Sequence, residues 1–439
     1  RRLQRRLLLA VGDVGGFLAV VRGDVPRPLV ADETNQLRGR WLTLLDGPWC
    51  DGDPLASAEQ AVALLDALLG LGFVSETEQI AELAHQRFPA ATELAARRDE
   101  ARAELAFEAG LRRLLYRGYR DGDVADLRQV LERLRAVAER ALGRDVVGEP
   151  ERFVVPLVGE LVDPFRGELA AHLERYNRHL VLGRRSGGVA EGMLLTRLSV
   201  RELPADPLLT LPGRCFEVVA VDRDVRAFSG VVGGDIAGVA LLNHFLIDYD
   251  AVREWAETIA DRRRVAAADG DALARDALPR DPGFDPLDVA FRLALLSPVR
   301  DTGLEAAVLD TIRHHERQHL VDSFHYLPIA SHLGRGLGLM FEIGLSPALI
   351  EAEMERRAEL ASLAVSPHTE LVLAHIVDFL GDPGIESPHH RGFGALAQQL
   401  SRRFEQLGVS PDAALPSRWH LLDMELVRRA ARDLLARLP

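Results

Sequence analysis

The sequence predicts an α+β fold that is mainly helical, on three observations. Residues from about 56 to 142 are rich in Ala, Leu, Glu and Arg, with apolar residues three and four positions apart. Between about 153 and 250, short β-branched and aromatic runs are bounded by Gly, Pro and Asp. From about Asp288 the helical spacing returns. We therefore expect an N-terminal segment (1–55), a helical domain (56–150), and a domain over 151–439 that joins a small mixed or antiparallel sheet (151–250) to helices (288–439).

The composition is that of an ordinary globular protein. Of the 439 residues, 47% are hydrophobic and 27% charged. All 53 basic residues are Arg, which is typical of a GC-rich bacterial genome. The net charge of -13 argues against a nucleic-acid or anionic-membrane partner, since phosphate binding needs clustered positive charge. Two cysteines, Cys50 and Cys215, are too few for a disulfide scaffold, and their pairing stays open.

The N-terminal segment has some features of an export signal or membrane anchor. Four arginines within residues 1–6 precede an apolar run from Leu7 to Val21. Asp13 and three glycines interrupt the run, and 15 residues are too few to span a bilayer. An amphipathic or strand-like start to the fold is favoured. Membrane association, and a cytoplasmic or exported location, stay open.

Regular elements follow from the spacing of apolar residues and from Gly and Pro as breaks. The predicted helices of the helical domain are Ala58 to Leu69, Glu76 to Arg87, Ala90 to Leu115 and Val124 to Leu142. The predicted strands are Phe153 to Val158, Met193 to Val200, Cys215 to Val221 and Val239 to Ile247. A helix from Tyr249 to about Arg263 and a loop over 264–287 complete this part.

A His-Glu-x-x-His pentad, residues 315–319, lies in a helix predicted from about Gly303 to Tyr326. Residues four apart on a helix share a face, so His315 and His319 can hold one metal ion. Glu316 is turned away from the ion but can reach a water molecule bound to it. This pattern is typical of zinc hydrolases, in which zinc lowers the pKa of water and Glu takes its proton.

A catalytic zinc site needs a third protein ligand and one open position. Ser346 and Pro347 predict the N-cap and first residue of a helix that ends near Val365. Glu351, Glu355 and Glu359 follow each other at four-residue spacing on this helix, beside the small residues Ala348, Ala352 and Ser362. These three glutamates could form a solvated face of the helix, but they lie where a third ligand is expected. Glu355 is favoured over Glu351 and over Asp322, which lies one turn after His319.

Over about residues 303–366 the chain resembles the gluzincin group of zinc metallopeptidases. In that group a second helix donates a Glu ligand, followed three residues later by a small residue and four later by an acidic one. Glu355, Ala358 and Glu359 match this pattern, with Glu in place of the more usual Asp. The resemblance implies a zincin-like domain, zinc (Zn²⁺) held by His315, His319 and Glu355, and Glu316 as general base. It also implies that Glu359 orients a ligand histidine, and that the substrate is a peptide or protein.

Two further features follow from the resemblance. A His or Tyr often stabilises the oxyanion, and the choice stays open among Tyr326, His332, His368, His375, His389 and His390. An edge strand near the metal holds the peptide by backbone pairing, a role that Val239 to Asp248 could serve, although an ordinary strand is favoured.

Two other functions compete with a zinc hydrolase. One is a carboxylate-bridged di-iron protein, in which Glu316-x-x-His319 and Glu82-x-x-His85 each supply a Glu-x-x-His motif. That function leaves His315 unexplained, and the β-rich stretch argues against a four-helix bundle. The other is a non-catalytic helical scaffold with a structural metal or none. It has no use for Glu316. Oligomeric state does not follow from the sequence.

Overall fold

A computed structural model confirms a mainly helical α+β fold. The structure describes residues 57–70, 72, 74–121, 127–146, 148–155, 159–163, 167–185, 190–203, 215–220, 237–241, 243–268, 286–326, 346–380 and 387–438. The predicted export or anchor segment lies outside these residues. None of the described helices is both long and apolar enough to cross a membrane.

The described residues belong to two compact units. Those of the first lie in 57–203 and 216–220, and those of the second are Cys215 and 237–438. The first unit thus combines the N-terminal helices with most of the strands, whereas the sequence-based domains join those strands to the C-terminal helices. Compactness alone does not test domain boundaries, so 56–150 and 151–439 stay a prediction.

The first unit consists of helices followed by an antiparallel sheet. Its helices are α1 (Ala58–Gly70), α2 (Val74–Arg87), α3 (Thr92–Asp121), α4 (Leu127–Leu142) and α5 (Glu168–Arg175). Its strands are β1 (Glu151–Val155), β2 (Gly159–Asp163), β3 (Arg178–Arg185), β4 (Ala190–Glu202) and β5 (Phe216–Ala220). Each strand pairs antiparallel with the next, with a register shift between Arg197 and Ser199 in β4. Of the two predicted sheet types, the antiparallel one is therefore present here.

A buried ion pair stabilises the first unit. Arg178, the first residue of β3, donates from Nε to Glu108 Oε1 on α3 at 2.6 Å, and the two side chains are 5% and 8% exposed. The guanidinium also donates to the Thr196 hydroxyl on β4. Since a buried charge without a partner is strongly unfavourable, this pair fixes how α3 lies on the sheet.

The second unit begins with a hairpin and continues with helices. The strands are β6 (Gly238–Leu241) and β7 (His244–Asp248). The helices are α6 (Tyr249–Ala268), α7 (Pro286–Leu296), α8 (Leu304–Tyr326), α9 (Pro347–Val365), α10 (Thr369–Leu380), α11 (Pro388–Gln406) and α12 (Met424–Leu435). Short 3₁₀ helices cover Asp301–Gly303 and Pro416–Leu421. α8 packs against the hairpin and α6, and α9 packs against α8, α11 and α12.

One local prediction in this unit is wrong and another is confirmed. The single strand expected over Val239 to Ile247 is a hairpin in which Leu241 pairs with His244, and Asn243 is the kind of residue that turns favour. At the start of α9, Ser346 is the N-cap and Pro347 the first helical residue, as predicted, although the Ser346 side chain makes no capping bond. Its carbonyl accepts hydrogen bonds from the backbone N–H groups of Leu349 and Ile350 instead.

Candidate metal centre

α8 places both histidines of the pentad on one face. The Nε2 atoms of His315 and His319 are 3.0 Å apart, and the two side chains are largely buried. The apolar residues Val308, Ile312 and Leu320 are buried along the same helix. The inward face of α8 therefore changes from apolar residues to two imidazoles, which require polar partners there.

α9 supplies those partners. Glu355 Oε2 lies 3.3 Å from the Nε2 atom of His315 and 3.3 Å from that of His319. One turn later, Glu359 Oε2 accepts a hydrogen bond of 2.8 Å from His315 Nδ1. The other oxygen of Glu359 is 3.0 Å from Nδ1 of His375 on α10. Glu359 thus fixes the ring of His315 so that Nε2 points toward Glu355.

Small residues allow α8 and α9 to approach closely. Ala358 is fully buried, and the Ser362 hydroxyl donates a 2.9 Å hydrogen bond to the Thr311 carbonyl on α8. The observed hydrogen bond adds a direct link that holds the two helices in register.

A third histidine, His389 on α11, also reaches Glu355. Its Nε2 atom lies 3.1 Å from Glu355 Oε2. The potential ligand atoms of His315, Glu355 and His389 all lie within 4.8 Å of one another. From the sequence, His389 is only one of six candidates for oxyanion stabilisation, because its distance in the chain from the pentad hides this proximity.

Glu316 is buried beside the β6 backbone. Its side-chain atom Oε2 has no hydrogen-bond partner, and the residue is 5% exposed. Gly238 of β6 faces it closely: a Cβ atom there would lie 2.5 Å from Cδ and Cγ of Glu316 and 2.6 Å from Oε1. Gly238 is not among the described residues with positive φ, so lack of space explains this glycine. Sequence reasoning missed it, since no local pattern marks a contact with a distant helix.

The electrostatics of the cluster favour ionised Glu355 and Glu359. Burial alone would raise the pKa of both carboxyls, yet the neighbouring imidazoles hold the pKa of Glu355 well below its usual range and that of Glu359 at about 2. Burial would lower the pKa of His315, but Glu355 and Glu359 raise it well above its usual value. Burial would also lower the pKa of His319, but Glu355 raises it above its usual value.

The pKa values of Glu316 and His389 shift in the opposite directions to those of the carboxyls and histidines just described. Burial raises the pKa of the Glu316 carboxyl, because no hydrogen bond reaches its buried oxygen. Burial also lowers the pKa of His389, which favours a neutral imidazole. A raised carboxyl pKa suits a general base, and a neutral imidazole suits a metal ligand.

The residues fit a metal ion of the zinc type. Glu355 Oε2 is buried without a hydrogen bond of acceptable geometry, although three imidazole nitrogens lie within 3.1–3.3 Å of it. In a tetrahedral site with metal–ligand distances of about 2.0–2.1 Å, ligand atoms are separated by about 3.3–3.4 Å. Imidazole and carboxylate donors suit zinc and also other divalent transition metals, so the donor set is not specific to zinc.

Other residues considered from the sequence have different surroundings. Glu351 is exposed on α9. Asp322 is buried and accepts a 3.2 Å hydrogen bond from Gln318, with Arg357 4.0 Å away. The Tyr326 hydroxyl accepts a hydrogen bond from Arg357. His390 takes part in the N-terminal cap of α11 through its backbone N–H, and His332 lies outside the described residues.

Comparisons with family models, curated proteins and solved structures find no match to this chain.

Proposed function

We propose that this chain is a zinc-dependent hydrolase, most simply a metallopeptidase of the gluzincin type. One observation carries the proposal: the buried oxygen of Glu355 is surrounded by imidazole nitrogens at ligand-to-ligand distances but makes no proper hydrogen bond. A cation at the centre of these atoms satisfies all of them at once. His315, His319 and Glu355 would hold it.

Each neighbouring residue then has a defined task. Bound zinc supplies the Lewis acidity that lowers the pKa of water and polarises a carbonyl. Glu359 holds the His315 ring through Nδ1 and keeps Nε2 directed at the site. Glu316 accepts the proton of the attacking water and returns it to the leaving amine. Burial favours the first half of this cycle, because it raises the proton affinity of the carboxylate.

The β6 strand gives the proposed substrate a place to bind. Gly238 brings the backbone of β6 against Glu316, and among the described strands β6 pairs with β7 only. An extended peptide could add to the edge of β6 that no described strand occupies, so that its carbonyl group approaches Glu316. Strand addition is a common way for proteins to hold peptides of varied sequence. It supports a peptide or protein as the substrate.

A second candidate function is a non-catalytic protein with a structural metal. His389 favours it, since four protein ligands fill a tetrahedral site and structural zinc sites are closed in this way. Glu316 argues against it, because a structural site does not need a buried carboxylate without a partner. The di-iron alternative gains no support: Glu82, one of its expected ligands, lies 3.3 Å from both Arg98 and Arg102.

Metal content per chain tests the proposal first, on protein purified without added metal. We expect about one zinc ion in the wild type and none in His319→Ala. His314→Ala is the matched control, because His314 neighbours the pentad but pairs with Asp310, and it should keep the metal.

Activity on a peptide library then tests the chemistry. Glu316→Gln should keep zinc and lose hydrolysis, since the amide cannot accept the proton. Absence of metal from the wild type, or full activity in Glu316→Gln, would refute the proposal.

A further inference from the structure

Contacts with neighbouring aromatic rings fix the position of the His389 side chain. Its ring stacks on Phe379 of α10, with centroids 5.5 Å apart and an interplanar angle of 22°, and meets Phe393 edge-on at 5.8 Å. The ring is also parallel to that of His315, at 6.5 Å and 6°. These contacts orient the imidazole plane and direct Nε2 at Glu355.

The helix that carries His389 approaches α9 closely at Gly392. A Cβ atom there would overlap the Ala352 carbonyl oxygen and lie 3.0 Å from the Arg356 backbone nitrogen and 3.1 Å from Glu355 Cβ. Gly392 lies inside α11, where any residue can adopt the backbone conformation. A glycine is required here because a side chain would not fit against α9. Gly392 and His389 are three residues apart and share a face of α11. The close approach of the two helices therefore carries His389 to Glu355.

We propose that His389 is a further protein ligand of the metal, so that four side chains can close the site. His389 Nε2 is 3.1 Å from Glu355 Oε2, within the same range as the contacts of the two pentad histidines with that oxygen. Three imidazoles and one carboxylate fill a tetrahedral site, which leaves no position for water. Hydrolysis then requires His389 to leave, and its departure regulates the site. This inference rests on the proposed function.

The test replaces His389 by Phe, which keeps an aromatic ring between Phe379 and Phe393 but removes the ligand nitrogen. Two readouts are independent of activity: zinc affinity, by competition with a chromophoric chelator, and the visible spectrum of the Co²⁺-substituted protein with and without azide. In the wild type we expect azide to leave the spectrum unchanged, because no coordination position is open. In His389→Phe we expect a changed spectrum that responds to azide.

Zinc affinity should fall in His389→Phe by more than the roughly 10–100-fold that loss of an outer partner of a metal ligand costs. Hydrolysis of a peptide substrate by the zinc-loaded variant should be faster than in the wild type.

A second pair of variants tests the positioning without removing the imidazole. Gly392→Ala should move α11 away from α9, which weakens zinc binding and makes the cobalt spectrum respond to azide. Gly394→Ala is the matched control: it makes the same substitution on the same helix, and the nearest atom to its Cβ, Leu380 Cδ2, is 3.9 Å away. It should behave as the wild type.

The outcomes separate this inference from the proposed function. Zinc binding and hydrolysis in the wild type, with an unchanged affinity and spectrum in His389→Phe, overturn the inference alone. Loss of hydrolysis at unchanged affinity also overturns it and makes His389 an oxyanion-stabilising residue. A changed affinity and spectrum, without hydrolysis in any variant, uphold the fourth ligand and overturn the hydrolase. No metal in the wild type overturns both.

Discussion

A methyl group added at Gly238 tests whether the β6 backbone sets the position of the proposed general base. The Cβ of Gly238→Ala would lie 2.5 Å from Cδ and Cγ of Glu316. The strand cannot easily retreat, because Gly238 is in register with Ile247 and the Asp248 N–H donates a 2.7 Å hydrogen bond to the Ala237 carbonyl. The Glu316 side chain, which has rotatable bonds, must move instead.

The size of the effect follows from the distances. Carbon atoms in favourable contact are about 3.5–4.0 Å apart, so the carboxylate has to shift by about 1 Å. A misplacement of about 1 Å in a catalytic group costs about 100-fold in rate. At about 1.36 kcal/mol per tenfold, this is a loss of about 2.7 kcal/mol in transition-state stabilisation. The three atoms nearest to the added Cβ all belong to Glu316 and not to a metal ligand, so zinc content should stay at the wild-type level.

The assay is kcat on a peptide substrate together with zinc per chain, in a double-mutant cycle with Glu316→Gln. If Gly238 acts only through Glu316, adding Gly238→Ala to Glu316→Gln should cause no further loss. Wild-type activity in Gly238→Ala refutes the argument from space. A loss of the same size on top of Glu316→Gln shows that Gly238 acts by another route, such as substrate pairing with β6.

Three further predictions concern the metal ligands, the packing of the first unit and the pH dependence of stability. Glu355→Ala should abolish tight zinc binding, whereas Glu351→Ala, on an exposed position one turn earlier, should not; equal stoichiometry in both would remove Glu355 from the ligand set. Arg178→Met should lower the free energy of unfolding by about 3–5 kcal/mol, because it leaves the buried Glu108 carboxylate without its main partner. Arg102→Met, which breaks exposed ion pairs, should leave the free energy of unfolding nearly unchanged in the same denaturant titration. Burial raises the pKa of Asp322 to about 6, so between pH 4 and 6 the unfolded chain loses a proton that the folded chain keeps, and stability falls as pH rises. Asp322→Asn should therefore gain stability relative to the wild type by about 2 kcal/mol between pH 4 and 7.5, at about 1.36 kcal/mol per pKa unit; a constant difference across this range would contradict the assignment.

Most helices could be predicted because their apolar periodicity is local. The predicted bounds of α1 and α8 differ from the observed ones by a single residue at one end each. The predicted strand over Val239 to Ile247 shows the limit of this approach. A short apolar run does not reveal where the chain reverses, and the turn signal at Asn243 was too weak to divide it.

The parts of the site that lie within one helix follow from the amino-acid sequence alone. His315 and His319 are four residues apart, so helical geometry alone puts them on one face, and Glu355 and Glu359 follow the same rule on α9. Which residues of different elements meet depends on the tertiary structure. His389, Gly392 and Gly238 act across gaps of more than 30 residues, where no periodicity links them to the pentad. Their positions result from helix and strand packing, in which a missing Cβ atom decides how closely two backbones approach.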